Sequence, residues 1–268
     1  MGRPGQGVDM DLNNKKIILT GASSGIGLEL LKKLASYPCD IIAAARTINK
    51  IDVEYDNIIK YPCDISSQEN IDKLFDTAIE KLGSIDIYIA NAGFAYYGQI
   101  EGPNWNEIDK IYRTNVFSGI YAAEKMKALN GNKPFCVAIT ASAMSFLSYP
   151  GYTLYASTKA ALHGFATGYR SELSKGQRLQ MIYPIGTRTK FFEQAGPKTP
   201  VPWPTQTPDK VAAAILKGLI KEKNSIFPSK LFQSLNILNG FLPFIFKSIM
   251  LFENFKFHKW LKSNSESR

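Results

Sequence analysis

The stretch from residue 15 to residue 27 limits what this chain can fold into more than any other. Ile17, Ile18 and Leu19 form a continuous apolar run, the pattern of a strand buried on both faces of a sheet. Thr20-Gly21-Ala22-Ser23-Ser24-Gly25-Ile26-Gly27 follows directly and opens a helix that runs to about Ser36. A strand, a glycine-rich turn and a helix in that order build a place for a phosphate group. Gly21 permits a tight turn, Gly25 lets the backbone approach a pyrophosphate, and Gly27 allows close helix packing. The free N–H groups of the first helical turn, with Ser23, Ser24 and Ile26 around them, then face the anion. A glycine-rich hairpin is the alternative reading, and the flanking strand and helix argue against it.

The alternation continues along the chain. Strands are expected at 40–45, 58–61, 85–90, 135–140, 179–183 and near 225–227, with helices at 68–82, about 104–129 and 153–173. The link between the second and third strands is short and polar, so its crossover helix is expected to be degenerate. This order predicts an α/β fold: a doubly wound parallel, Rossmann-like sheet with helices on both faces and an apolar helical C-terminal tail. With 268 residues, 45% of them hydrophobic, the chain can bury a substantial core. The expected division is a leader or disordered arm at 1–13, the sheet domain at 14–227 and the tail at 228–268.

The second strand ends at Ala45 and is followed by Arg46 and Thr47. A carboxylate at that strand end would hydrogen-bond the ribose hydroxyls of NAD, whereas a guanidinium suits a 2′-phosphate. The reading is therefore NADP (NADPH), with NAD the alternative and a merely solvated arginine the plain one.

Tyr155 and Lys159 lie one helical turn apart and share a face. A free phenol titrates near 10. A neighbouring cation, joined by a cationic nicotinamide ring, is expected to lower that value toward neutrality. Alone, the spacing fits an ordinary aromatic beside a solvated lysine. It gains weight because the strand at 135–140 delivers Ser142 at its carboxyl end, where open parallel sheets bind ligands.

Taken together, Thr20-Gly-x-x-x-Gly25-x-Gly27, Asp64, Asn91-Ala92-Gly93, Asn115, Ser142 and Tyr155-x-x-x-Lys159 resemble the short-chain dehydrogenase/reductases over roughly residues 14 to 227. The resemblance implies a nicotinamide-dependent oxidoreductase of a carbonyl/alcohol pair, assembled as a homo-oligomer. It makes Tyr155 the catalytic acid/base and has Lys159 bind the nicotinamide ribose and lower the tyrosine pKa. It has Ser142 hydrogen-bond the substrate oxygen and Asn115 hold a relaying water. It places Asp64, with Ile65, at the adenine and Asn91-Ala92-Gly93 along the adenosine side. Pro184, Thr187 and Thr189 fall in the loop that meets the carboxamide. That loop departs from the family, which usually has Pro-Gly where this chain has Pro184-Ile185, and a φ > 0 at 185 would be costly for isoleucine. The family's substrate lid corresponds to residues 186–208, where Pro197, Pro200, Pro202, Pro204 and Pro208 interleave with Phe191, Phe192 and Trp203. An apolar substrate pocket is expected there, against a plain proline-stiffened loop. A cofactor-binding protein without turnover, or an epimerase or dehydratase on the same fold, are the rival functions.

Eight of the sixteen phenylalanines fall between Phe227 and Phe257, and Leu231, Leu235, Leu238 and Leu242 recur at helical spacing. No uninterrupted apolar run reaches the roughly 18 residues of a spanning helix. The tail is read as packing over the cleft or another subunit, or as a peripheral membrane-surface helix pair with Lys247, Lys256, Lys259 and Lys262 near headgroups. The net charge of +9 comes without a nucleic-acid motif, so no nucleic-acid partner is expected. Cys39, Cys63 and Cys136 lack metal or redox spacing and, with His163 and His258, are read as structural. No metal is expected, and a cytoplasmic location follows from the sparse cysteines and the lack of an apolar N-terminal signal.

Overall fold

The computed structural model describes residues 9–196 and 198–265, the side chains of the last two excepted. Residues 1–8 of the expected leader lie outside the described residues, as does Pro197. Residues 9–13 correct that expectation: Leu12 is buried in the core and the Met10 N–H donates to the Ile220 carbonyl at 2.7 Å, so this stretch packs on the domain. Seven strands, β1 (Lys16–Thr20), β2 (Asp40–Ala45), β3 (Ile58–Pro62), β4 (Ile87–Ala90), β5 (Phe135–Thr140), β6 (Gln177–Ile182) and β7 (Ser225–Ile226), form one sheet in the order β3-β2-β1-β4-β5-β6-β7. Every neighbouring pair is parallel. The helices are α1 (Gly25–Leu34), α2 (Gln68–Leu82), α3 (Trp105–Tyr112), α4 (Ser118–Asn130), α5 (Thr153–Tyr169), a short α6 (Phe191–Ala195), α7 (Pro208–Ile220), α8 (Lys230–Phe241) and α9 (Phe244–Ser265).

Alternation along the strands explains why they are apolar throughout. Ile17 and Leu19 point into the core shared with Leu30, Leu34, Val211 and Ile215 of α1 and α7. Ile18 points the other way, into the core of α2, α4 and α5, with Leu74, Met126 and Leu162. Side chains on successive strand residues face opposite sides, so a sheet covered on both faces needs no polar positions. The link from β2 to β3 carries only a single 3₁₀ turn, Ile48–Lys50.

The chain leaves β1 for β2 on one side and later starts β4 on the other, so the sheet has its switch point between β1 and β4. Ligands bind such sheets in the crevice beyond the carboxyl strand ends. The turn after β1, Asn91-Ala92-Gly93 after β4, Ser142 after β5 and Pro184 after β6 all open on that edge.

One expected helix differs from the sequence reading. The helix at 104–129 is interrupted by a π turn, Arg113–Phe117, which carries Asn115. The tail agrees with the expected helix pair: α8 and α9 are separate helices bent by 118° at the Leu242-Pro243 break. A proline lacks the N–H a continuous helix needs there.

Candidate active site

The glycine-rich turn is required by packing. Gly21 and Gly25 have φ of 69° and 56°, a region side chains rarely adopt. A Cβ on Gly21 would lie 2.8 Å from the Ala92 Cα, and one on Gly27 would lie 2.0 Å from the Gly21 carbonyl oxygen. Gly25 abuts the Thr189 methyl at 3.0 Å from its Cβ position. The turn is thus clamped between the β4 and β6 loops. Thr20 and Asn91 tie it down. The Thr20 hydroxyl accepts from the Asn91 and Ala92 N–H groups at 3.1 and 3.3 Å. The Asn91 amide donates to the Thr20 and Gly21 carbonyls at 3.3 and 3.4 Å. Ser24 precedes α1 without a side-chain cap, which leaves the first N–H groups of the helix for a ligand.

At the end of β2 there is no carboxylate. Arg46 and Lys50 line the same cavity, and neither makes an ion pair among the described residues. Asp64 and Ile65, after β3, close the same end, and Asp64 accepts from the Ser66 N–H at 3.0 Å. A glycine cradle at a helix start, with two unpaired cations one 3₁₀ turn apart, fits a nicotinamide dinucleotide. Lys50 was missed by the sequence reading. Its position four residues after Arg46 was the available signal.

The other end of the cavity holds Ser142, Tyr155 and Lys159. Asn115 sits deeper, buried in the π turn. Its amide donates to the Phe94 carbonyl at 2.9 Å and to Thr158 Oγ1 at 3.2 Å, and its Oδ1 accepts from the Phe94 N–H at 3.1 Å. Thr158 and Phe94 carry no motif that would reveal them beforehand. Lys159 donates to the Thr140 carbonyl at 2.8 Å, and its Nζ lies 5.5 Å from the centre of the Tyr155 ring. Ser142 accepts from the Met144 N–H at 3.1 Å.

In the free protein, without the nicotinamide charge, the electrostatics run opposite to the expected lowering. Burial pushes the Tyr155 phenol up to about 12, opposed only by a hydrogen bond from Ser142. Burial also brings the Lys159 ammonium down to about 7. Lys159 therefore does not drag the phenol toward neutrality in the free protein. Desolvation disfavours both charged forms, and a phenol that holds its proton at pH 7 is a donor.

The departure at Ile185 does not force the costly backbone conformation. Ile185 is not among the residues with positive φ. Its carbonyl accepts from Thr187 Oγ1 at 3.0 Å, and its side chain packs against the tail. Thr187 is buried and bridges to Gln206, while Pro184, Thr187 and Thr189 all line the cavity.

The cavity has a volume of about 1190 Å³. Phe191 meets the Tyr155 ring edge-on at 5.5 Å, and Phe192 and Met144 are buried beside it. Tyr149 and Tyr152, next to the tyrosine motif, also line the wall. The tail supplies the remaining side through Leu231, Phe232, Leu235 and Ile249. The expected leucine stripe packs only in part: Leu231 and Leu235 reach the cavity and Leu235 joins the tail cluster, but phenylalanines form its buried centre. Phe232 and Phe246 are buried with Leu147, whereas Leu231, Leu238 and Leu242 are exposed. The far end of α9 anchors on the opposite wall, where the Trp260 indole donates to the Lys198 carbonyl at 3.1 Å and packs on Tyr97 at 4.8 Å. The cysteines are free and buried, and among the described residues no cluster could hold a metal. His163 Nδ1 bonds the Tyr183 hydroxyl at 2.8 Å, a structural contact.

The model of the short chain dehydrogenase family matches residues 15–200. A 1,2-dihydroxy-1,2-dihydronaphthalene dehydrogenase of Pseudomonas putida is 33% identical over 196 residues, 68% of this chain and 74% of that protein. A short-chain dehydrogenase/reductase from Burkholderia phymatum in complex with NAD superposes with a TM-score of 0.74 at 19% identity, covering 86% of this chain and 94% of that one. A short-chain dehydrogenase from Sphingobium yanoikuyae in complex with NADPH gives 0.73 at 22% identity, covering 85% and 94%. The motifs, the sheet order and the family match agree: this chain belongs to the short-chain dehydrogenase/reductase family and is an NAD(P)-dependent oxidoreductase.

Proposed function

We propose that the protein interconverts an apolar carbonyl compound and its alcohol with NADP as the redox partner. The observation that carries this reading is the convergence of Tyr155, Ser142 and Lys159 on a cavity walled by Phe191, Phe192, Tyr149 and Phe232. A bound nicotinamide supplies or takes up the hydride. In the reducing direction Tyr155 gives its phenolic proton to the carbonyl oxygen, and Ser142 donates a hydrogen bond to the charge that develops there. Lys159, with an ammonium near neutrality, exchanges protons readily at pH 7 and restores the phenol, and Asn115 holds the backbone around it. Gly21, Ser23, Ser24, Gly25, Ile26 and Gly27 hold the pyrophosphate. Arg46 and Thr47, helped by Lys50, would hold a 2′-phosphate, and their position at the β2 end of the cavity supports a preference for NADP over NAD. Asp64, Ile65 and Asn91-Ala92-Gly93 bound the adenosine, and Pro184, Thr187 and Thr189 face the nicotinamide side. Residues 14–227 form the oxidoreductase unit, the tail from 228 to 265 covers its cleft, and the active form is a cytoplasmic homo-oligomer.

The test is NADPH oxidation across a panel of aliphatic and aromatic ketones and aldehydes, with Tyr155→Phe beside the parent. The variant keeps the ring and loses the proton donor, so turnover should vanish while NADPH affinity stays nearly constant. Retention of more than about a tenth of the rate would remove Tyr155 from its role.

A further inference from the structure

We propose that the outward side of α8 and α9 docks on an anionic lipid bilayer, and that the mouth of the cleft opens onto that docked surface. Both helices carry large apolar side chains on two sides. Phe232 and Phe246 face inward and are buried, whereas Ile237, Phe241, Phe244, Leu251 and Phe255 face outward and are exposed, Phe241 to 80%. A helix that is apolar all round is ordinarily covered on all sides, and a contiguous apolar surface of this kind marks a binding face. Residues 240–244 are all exposed, and the 118° bend at this point makes them a protruding elbow with Phe241 and Phe244 at its tip.

Charge decides what covers the elbow. From Ser229 to Phe252 the only charged residues are Lys230 and Lys247, and both are exposed. Glu253 pairs with Lys256 at 2.6 Å, and exposed Lys259 follows. In a two-fold contact between copies the same patch meets itself, which would set these lysines against one another. Anionic headgroups would instead pair with them. No single helix is long and apolar enough to cross a membrane, and the bent α8–α9 pair has the length and composition of a broken span only when taken together. Because the far end of α9 is anchored on the cleft wall through Trp260 and Tyr97, we place the pair in the interface plane. The docking surface also runs into the active site. Leu231, Phe252 and Trp203 are exposed and line the cavity at the same time. An apolar substrate dissolved in the bilayer can thus enter the cleft without crossing water; this second half rests on the carbonyl/alcohol reading above.

Flotation of the full chain, without cofactor or substrate, on phosphatidylcholine vesicles with and without phosphatidylserine tests the docking. The protein should float with the phosphatidylserine vesicles, and salt should weaken binding. Phe241→Asp with Phe244→Asp should lower the partition coefficient by roughly 100-fold while NADPH binding and the circular dichroism spectrum stay unchanged. If that variant misfolds, Lys247→Glu with Lys259→Glu should remove the phosphatidylserine dependence. Absence of flotation, or equal flotation of the parent and a folded variant, would overturn the docking. So would conversion of a dimer to a monomer by the aspartates in a parent that does not float. For the loading half, phosphatidylserine vesicles should raise the rate on a lipid-soluble ketone and not on a water-soluble one. An equal effect on both would overturn loading. Flotation with turnover of neither class would refute the assigned reaction and still support docking.

Discussion

Lys159 is buried to 3% exposure and has no carboxylate partner among the described residues, so its charge costs the free protein stability. Its folded pKa of about 7 lies below the ordinary 10.5. Between those values the unfolded chain binds more protons than the folded one, so stability rises with pH through that window. Below about 7 the full cost is present. Lys159→Met should therefore inactivate the enzyme yet raise its thermal midpoint, most at pH 6 and least near pH 10. The stability gap should close by up to about 1.4 kcal/mol per pH unit inside the window. A gap that does not change with pH would show that Lys159 keeps its ordinary pKa. At the other end of the cleft, Arg46→Asp removes a phosphate partner and adds a repelling carboxylate. The affinity ratio of NADPH to NADH, titrated on parent and variant, should fall; an unchanged ratio would make Arg46 a solvated side chain. The identities of these residues were legible in the sequence because motif spacing survives without coordinates. The direction of the Tyr155 shift was not, because it depends on how much solvent the surrounding loops remove, and those loops are distant in sequence.

At the scale of elements, strands and their order were legible, since unbroken apolar runs between turn signals leave few alternatives to a doubly wound sheet. The π turn at Arg113–Phe117 was invisible, because a single inserted residue leaves the apolar pattern of the flanking helices intact. The tail was half legible. Its composition announced helices, and leucine spacing placed Leu231 and Leu235 at the cleft, but the buried contacts are made by phenylalanines the spacing did not single out. Phe232 stacks on Phe246 at 6.2 Å and meets Phe227 and Phe146 at 6.3 and 6.2 Å, so one side chain joins α8, α9 and the core. Truncating a buried phenylalanine costs about 3–5 kcal/mol. Because this site belongs to the tail cluster, Phe232→Ala should loosen α8 and α9 alone. Hydrogen exchange and limited proteolysis should rise across residues 229–265, KM for apolar carbonyls should rise, and cofactor affinity should hold. Loss of cofactor affinity would mean that the tail supports the sheet itself.

The whole molecule raises the question of which face meets a second copy. The resemblance implies pairing through the helices at 104–129 and 153–173, and on that reading their apolar residues Ile111, Val116, Ile120, Leu162 and Phe165 would need a partner to cover them. The structure corrects that choice: Ile111, Val116 and Leu162 are buried within the chain. The exposed apolar groups on that side are Trp105, Phe117 and Leu129. On α5, Gly164 and Gly168 have open space where a side chain would stand, and with exposed Ala160 they form a strip at four-residue spacing that lets a second helix approach closely. This face is remote in sequence from the α8–α9 elbow, so assembly and lipid docking can be separated by mutation. Phe117→Asp together with Gly164→Glu should turn a dimer into a monomer by light scattering at low micromolar concentration, while flotation on phosphatidylserine vesicles persists. A parent that is already a monomer would refute the assembly. A variant that stays dimeric but stops floating would mean that the two faces have been assigned the wrong way round.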